Sequence, residues 1–174
     1  MADIKKQLAT WIDDDRDKII KFLCDFVRAK SPNPPGDTTL AAAHVTRFLE
    51  ASGLPFRVIA PQPTMPNIVG AFDTGKPGHH LVLNGHMDVF PADEQNEPWT
   101  HGPWSGAIAD GKIYGRGVAD MKAGTSASVF RAAKPSGPSK GANSVDVNEP
   151  SRFGKAMSMN RPRGQMCRAC GSIW

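Results

Sequence analysis

The stretch Leu81-Val82-Leu83-Asn84-Gly85-His86-Met87-Asp88-Val89-Phe90-Pro91 constrains this chain more than any other. A short aliphatic run bounded by Gly predicts a buried strand. The C-terminal end of such a strand is where open α/β sheets place their ligands. His86 and Asp88 lie two residues apart, so in extended backbone they share a face. The Asp88 carboxylate can then take a hydrogen bond from one imidazole nitrogen and fix the tautomer, leaving the other nitrogen for a metal. Taken alone, a His-x-Asp pair is also an ordinary loop hydrogen bond.

A second anchor follows in Ile113-Tyr114-Gly115-Arg116-Gly117-Val118-Ala119-Asp120-Met121-Lys122-Ala123-Gly124. A Gly-rich turn delivers one carboxylate, Asp120, just before small residues that predict a helix over Met121–Ala133. By itself, Asp120 reads as a helix N-cap. Gly115-Arg116-Gly117 by itself reads as a tight turn that Arg116 braces; it lacks the Lys-Ser/Thr of a phosphate loop.

Upstream, Ile4, Leu8, Trp11, Ile12, Ile19, Leu23, Phe26 and Val27 recur at helical spacing, so residues 3–29 predict one or two amphipathic helices. Asp13-Asp14-Asp15 reads as a solvated helix end between them. Ser31-Pro32-Asn33-Pro34-Pro35-Gly36 stops the helix, since Pro lacks an amide hydrogen and disfavours αR before it. Asp37 or Thr38 caps a further helix to about Ala51, with Gly53 placed as its C′ residue. His44 on that helix reads as a surface or core-edge residue. Phe56–Ala60 and Asn67–Phe72 predict strands, and His79 and His80 read as structural. Residues 91–105 form a long loop in which His101 reads as a surface residue. Ala107–Ala109 and Lys112–Tyr114 flank Asp110-Gly111, a favoured two-residue hairpin turn.

The net charge of +4 belongs to the end of the chain. Residues 1–133 hold 14 Lys and Arg against 15 Asp and Glu, a net −1, and residues 134–174 hold 7 against 2, a net +5. The basic character is therefore no evidence that the body binds nucleic acid, and no nucleic-acid partner is expected. No apolar run reaches the roughly 18 residues of a membrane span. Met1–Lys6 is not followed by the apolar core of a signal peptide. Cys24, Cys167 and Cys170 do not form a disulfide framework, so a cytoplasmic setting is expected. After Ala133, Pro, Gly and Ser take over and periodicity is lost. Residues 134–174 are expected to be an unrelated, low-complexity, disordered basic tail in which Cys167-x-x-Cys170 is a lone pair.

The two anchors, with Pro98-Trp99 and Pro103-Trp104 between them, closely resemble the co-catalytic zinc amidohydrolase and exopeptidase superfamily, from about Ser31 to Ala133. That group contains aminoacylases, acetylornithine deacetylases, succinyl-diaminopimelate desuccinylases and glutamate carboxypeptidases. The resemblance implies an α/β, three-layer catalytic domain in residues 1–133. It implies a metal-dependent hydrolase acting on the amide bond of an N-acyl amino acid or small peptide, a small-molecule substrate. Two zinc ions are implied, with cobalt as an alternative. His86 would ligate one zinc, Asp120 would bridge both, and Asp88 would be the catalytic residue that clamps His86. A cis peptide after Asp120 is a further implication. The pattern departs after Ala133: the family's Glu-Glu pair, remaining acidic ligand, late His and inserted lid domain have no counterpart, and the only downstream acids are Asp146 and Glu149. The chain as written is therefore expected to be a truncated N-terminal part, with the lid absent, and inactive alone. The competing expectation is a non-catalytic fragment or interaction piece with at most a weak metal site.

Overall fold

The computed structural model describes residues 2–71, 77 and 81–133. The expectations for His79, His80 and the segment 134–174 lie outside the described residues. Helix α1 spans Ala2–Asp14, α2 Arg16–Arg28 and α3 Thr39–Ala51. Strands β1, Phe56–Ile59, and β2, Asn67–Gly70, follow; then come β3, Ala107–Ala109, β4, Lys112–Tyr114, and helix α4, Ala123–Ala133. The protein is thus a mixed α/β structure. Among the described residues, no helix is long and apolar enough to cross a membrane.

The acidic triplet does divide the first two helices, but it is not wholly solvated. Asp15 is buried at the junction, with Lys18 Nζ at 3.2 Å. Helix α3 begins where the sequence indicates, and of the two candidate caps it is Asp37 that supplies the oxygen. Asp37 Oδ1 accepts from the Thr39 amide at 3.0 Å and from the Thr39 hydroxyl at 2.6 Å. Gly53 closes the helix at φ 66, and the Leu54 amide reaches back to the Leu49 carbonyl at 3.0 Å. This is the left-handed C-terminal arrangement that Gly permits at little cost.

The core lies between α2, α3 and α4. Phe22, Phe26, Ala41, Val45 and Leu49 are buried, and Val129 and Phe130 of α4 pack on them. Phe22 meets Phe48 and Phe130 edge-on, with centroids at 5.0 and 5.4 Å. His44 sits at the edge of this cluster, 4.3 Å from the Phe22 ring, with Nε2 at 3.0 Å from the Phe22 carbonyl oxygen. Burial holds its pKa below the ordinary 6.5.

β1 and β2 pair antiparallel, as do β3 and β4. The second pair turns through Asp110 at φ 50 and Gly111 at φ 72, as Asp-Gly predicts.

The expected central strand is the main departure. Residues 81–88 run without ladder partners, and Leu81 and Val82 are 72% and 84% exposed. The one sheet-like contact of the stretch is an isolated parallel bridge between Pro32 and Val89. A strand is buried on both faces only when neighbouring strands and covering helices flank it, and the described sheets, two-stranded each, do not extend to this segment.

Candidate functional site

Four backbone and side-chain contacts fix the His86–Val89 segment. The Asn33 amide donates to the Val89 carbonyl and the Val89 amide to the Ser31 carbonyl, both at 2.9 Å. The buried Ser31 hydroxyl donates to the Met87 carbonyl at 2.7 Å. From the other side, Thr125 Oγ1 of α4 donates to the His86 carbonyl at 3.1 Å. Met87 packs against the core, and the neighbours His86 and Asp88 turn the other way, as the two-residue period requires.

The Gly-rich turn brings Asp120 to the same place. Gly117 takes φ 76, and a Cβ there would run into the Val89 side chain. Only glycine therefore allows this turn to lie against the His86–Val89 segment. Arg116 braces the turn: its amide donates to the Pro103 carbonyl at 2.6 Å, and its Nη2 reaches both Glu97 oxygens at 3.2 and 2.9 Å. The guanidinium lies 4.9 Å from the Trp99 ring. Asp120 and Met121 have non-helical backbone within the turn Val118–Lys122, and the peptide bond between them is cis, as the resemblance implies. His101 is exposed and meets Tyr114 at 4.5 Å between ring centroids.

His86, Asp88 and Asp120 converge, though on a turn and an unpaired segment rather than at the ends of adjacent strands. His86 Nε2 stands 3.3 Å from Asp120 Oδ1. His86 Nδ1 stands 2.9 Å from the Asp88 carbonyl oxygen and 3.2 Å from Asp88 Oδ1. The expected carboxylate contact is present, but the backbone carbonyl is the nearer acceptor. Both atoms only accept, so Nδ1 carries the hydrogen and neutral His86 turns its Nε2 lone pair toward Asp120. Two acceptors then face each other at 3.3 Å. That arrangement is repulsive unless a proton or a cation stands between them. The His86 side chain is 44% exposed and that of Asp120 90%, so the pair is open to solvent.

The separation suits a metal. Donors at about 2.0–2.1 Å on a tetrahedral zinc stand about 3.3 Å apart. No group of three His, Cys, Asp or Glu arranged to hold a metal ion occurs among the described residues. The donors present thus fit part of a zinc site, one short of the three protein ligands common at catalytic zinc.

The sequence reading did not single out Lys122. It is fully buried, and its Nζ donates to the Phe26 and Ala29 carbonyls at 2.8 Å each, 4.9 Å from the Phe26 ring. Burial lowers its pKa to about 8. The ammonium satisfies carbonyls at the end of α2, a position where a cation also suits the helix dipole. It thereby ties the turn that carries Asp120 to the helix that leads into Ser31 and Asn33. A Lys directly after Asp-Met carries no local sign that it is buried.

Residues 82–142 match the model of Peptidase family M20/M25/M40. The chain is 30% identical over 128 residues to an N-formyl-4-amino-5-aminomethyl-2-methylpyrimidine deformylase of Halalkalibacterium halodurans, an alignment covering 72% of this chain and 30% of the relative. It is 48% identical over 69 residues to a succinyl-diaminopimelate desuccinylase of Methylorubrum extorquens, covering 39% of this chain and 18% of the relative. A succinyl-diaminopimelate desuccinylase of Rhodopseudomonas palustris is 35% identical over 109 residues, covering 60% of this chain and 27% of the relative. The chain spans less than a third of the length of each. The chain belongs to peptidase family M20/M25/M40.

Proposed function

We propose that residues 1–133 form the N-terminal part of a three-layer amidohydrolase domain, with residues 134–174 a separate tail, and that the whole domain hydrolyses an amide bond in an N-acyl amino acid or small peptide. The observation that carries this is the pair of facing acceptors, His86 Nε2 and Asp120 Oδ1, 3.3 Å apart on an exposed surface. The names of the relatives, a deformylase and two desuccinylases, describe removal of a small acyl group from nitrogen and support the same reaction class.

In this reading His86 and Asp120 are metal ligands. Asp88 holds the His86 ring so that Nε2, and not Nδ1, faces the metal. Bound zinc or cobalt supplies Lewis acidity toward the carbonyl and makes water nucleophilic near neutral pH. Catalysis also needs a general base and further ligands, so residues 1–174 alone are inactive. The substrate is a small molecule, neither nucleic acid nor membrane is a partner, and the setting is cytoplasmic.

A chimera tests this. Residues 81–133 replace their counterpart in the Rhodopseudomonas palustris desuccinylase, and release of succinate is measured. The chimera is expected to turn over, with His86→Ala and Asp120→Ala each lowering kcat at least about a hundredfold, as loss of a reacting-site group does. A folded chimera that binds zinc yet is indifferent to both substitutions would refute the reading.

A further inference from the structure

The loop Ser31–Gly36 ends α2, but its contacts go well beyond stopping a helix. Asn33 Nδ2 donates to Asp88 Oδ2 at 2.9 Å, across 55 residues of sequence. The opposite oxygen, Oδ1, is the one that lies 3.2 Å from His86 Nδ1. The Asn33 backbone is itself fixed, because its amide donates to the Val89 carbonyl. The side-chain amide therefore starts from a rigid point and reaches a carboxylate that has free rotation about χ1 and χ2 unless something holds it.

We propose that Asn33 is a positioning residue for the site. It anchors Asp88 Oδ2 so that Oδ1 is presented to His86. The tautomer does not depend on this, since the Asp88 carbonyl also accepts from Nδ1 at 2.9 Å. What Asn33 adds is a negative charge held beside the ring, which sets ring orientation. An amide suits this role because it donates to the carboxylate without neutralising it, whereas Lys or Arg would compete with the imidazole for the same charge. The anchoring of Asp88 stands on the geometry alone; its consequence for metal binding rests on the function proposed above.

The test uses the full chain with Asn33→Ala, Asn33→Asp and Ser31→Ala. Three-bond couplings read the χ1 populations of Asp88, and calorimetry reads zinc affinity. Asp88 is expected to occupy one rotamer in the parent chain and to average over several in Asn33→Ala. Zinc affinity is expected to fall about tenfold, the lower end of the effect of losing a group that orients a ligand. Asn33→Asp sets two carboxylates against each other and is expected to weaken zinc binding further. Ser31→Ala removes a bond from the same backbone bridge without touching the carboxylate. It is expected to lower the melting temperature while leaving the Asp88 rotamer in place. If Asn33→Ala does not fold, Asn33→Ser, whose hydroxyl is too short to reach Asp88, gives the same readings. A single Asp88 rotamer in the folded Ala or Ser variant overturns the proposal. Absence of zinc binding in the parent chain would overturn the metal-site reading instead, and the rotamer measurement would still decide the role of Asn33.

Discussion

Asp120 Oδ1 faces His86 Nε2 at 3.3 Å, although 34 residues separate them; His86 lies outside every helix and strand, and Asp120 sits where the short turn Val118–Lys122 departs from helical backbone. The contact exists because three independent ties meet there. Ser31 and Asn33 hold the strand-like side, Lys122 holds the turn against α2, and Gly117 allows the two to touch.

Lys122 is the tie whose loss is costliest. Lys122→Met keeps the aliphatic volume but leaves the Phe26 and Ala29 carbonyls without their donor. Destabilisation of about 1–3 kcal/mol is expected, and more for Lys122→Ala, which also opens a cavity. Urea unfolding followed by circular dichroism measures it. A Met variant as stable as the parent would show that water replaces the ammonium at no cost.

Gly117→Ala combines a side chain at φ 76 with a clash against Val89. A loss above about 1 kcal/mol is expected. Amide chemical shifts should move at Val89 and Asp120 together, because one steric contact links them. Shifts confined to the turn would show that the two segments are not coupled.

Acid should weaken the fold through His44. Its folded pKa lies below the ordinary 6.5 because burial disfavours the imidazolium, against smaller opposing effects of the Phe22 carbonyl and Asp25; Arg47 and Lys122 add to the lowering. The unfolded chain thus binds more protons as pH falls, and stability contributed by neutral His44 is full above the unfolded pKa and lost as pH drops through and below it. Melting temperature should fall on acidification across that range, and less steeply in His44→Phe. Asp25 acts lower: its carboxyl pKa is held down, first by the Lys21 hydrogen bond and then by Arg28, so its contribution is lost only near and below the ordinary 3.8. Equal slopes in parent and His44→Phe between pH 7 and about 5 would contradict the His44 assignment.

The helices and the second hairpin were legible because their signals are local. Apolar spacing from Ile19 to Val27 marks the buried face of α2, Asp37 and Gly53 bracket α3, and Asp110-Gly111 turns β3 into β4. The pairing of His86 with Asp88 was legible for the same reason, since it needs only extended backbone. Burial of Leu81–Leu83 was not, because a strand's burial depends on partners supplied from elsewhere. Lys122 and Asn33 were missed on the same ground: their meaning lies in carbonyls and a carboxylate 93 and 55 residues away.

The exposed Leu81-Val82-Leu83 segment should drive association, as unpaired apolar extended segments do. Val82→Glu, at a side chain 84% exposed, is expected to leave the melting temperature within about 1 °C while reducing light scattering at high concentration. A strongly destabilised Val82→Glu would mean that Val82 is buried in solution.

The central proposal is that His86 and Asp120 hold a metal ion between them. Titration of the full chain with cobalt, followed by paramagnetic broadening of assigned resonances, tests it most directly. The imidazole of His86 and the amides around Asp120 should broaden first, at up to one ion per chain, and Asp120→Ala should abolish the effect. Broadening centred elsewhere, or unchanged in Asp120→Ala, would contradict the account.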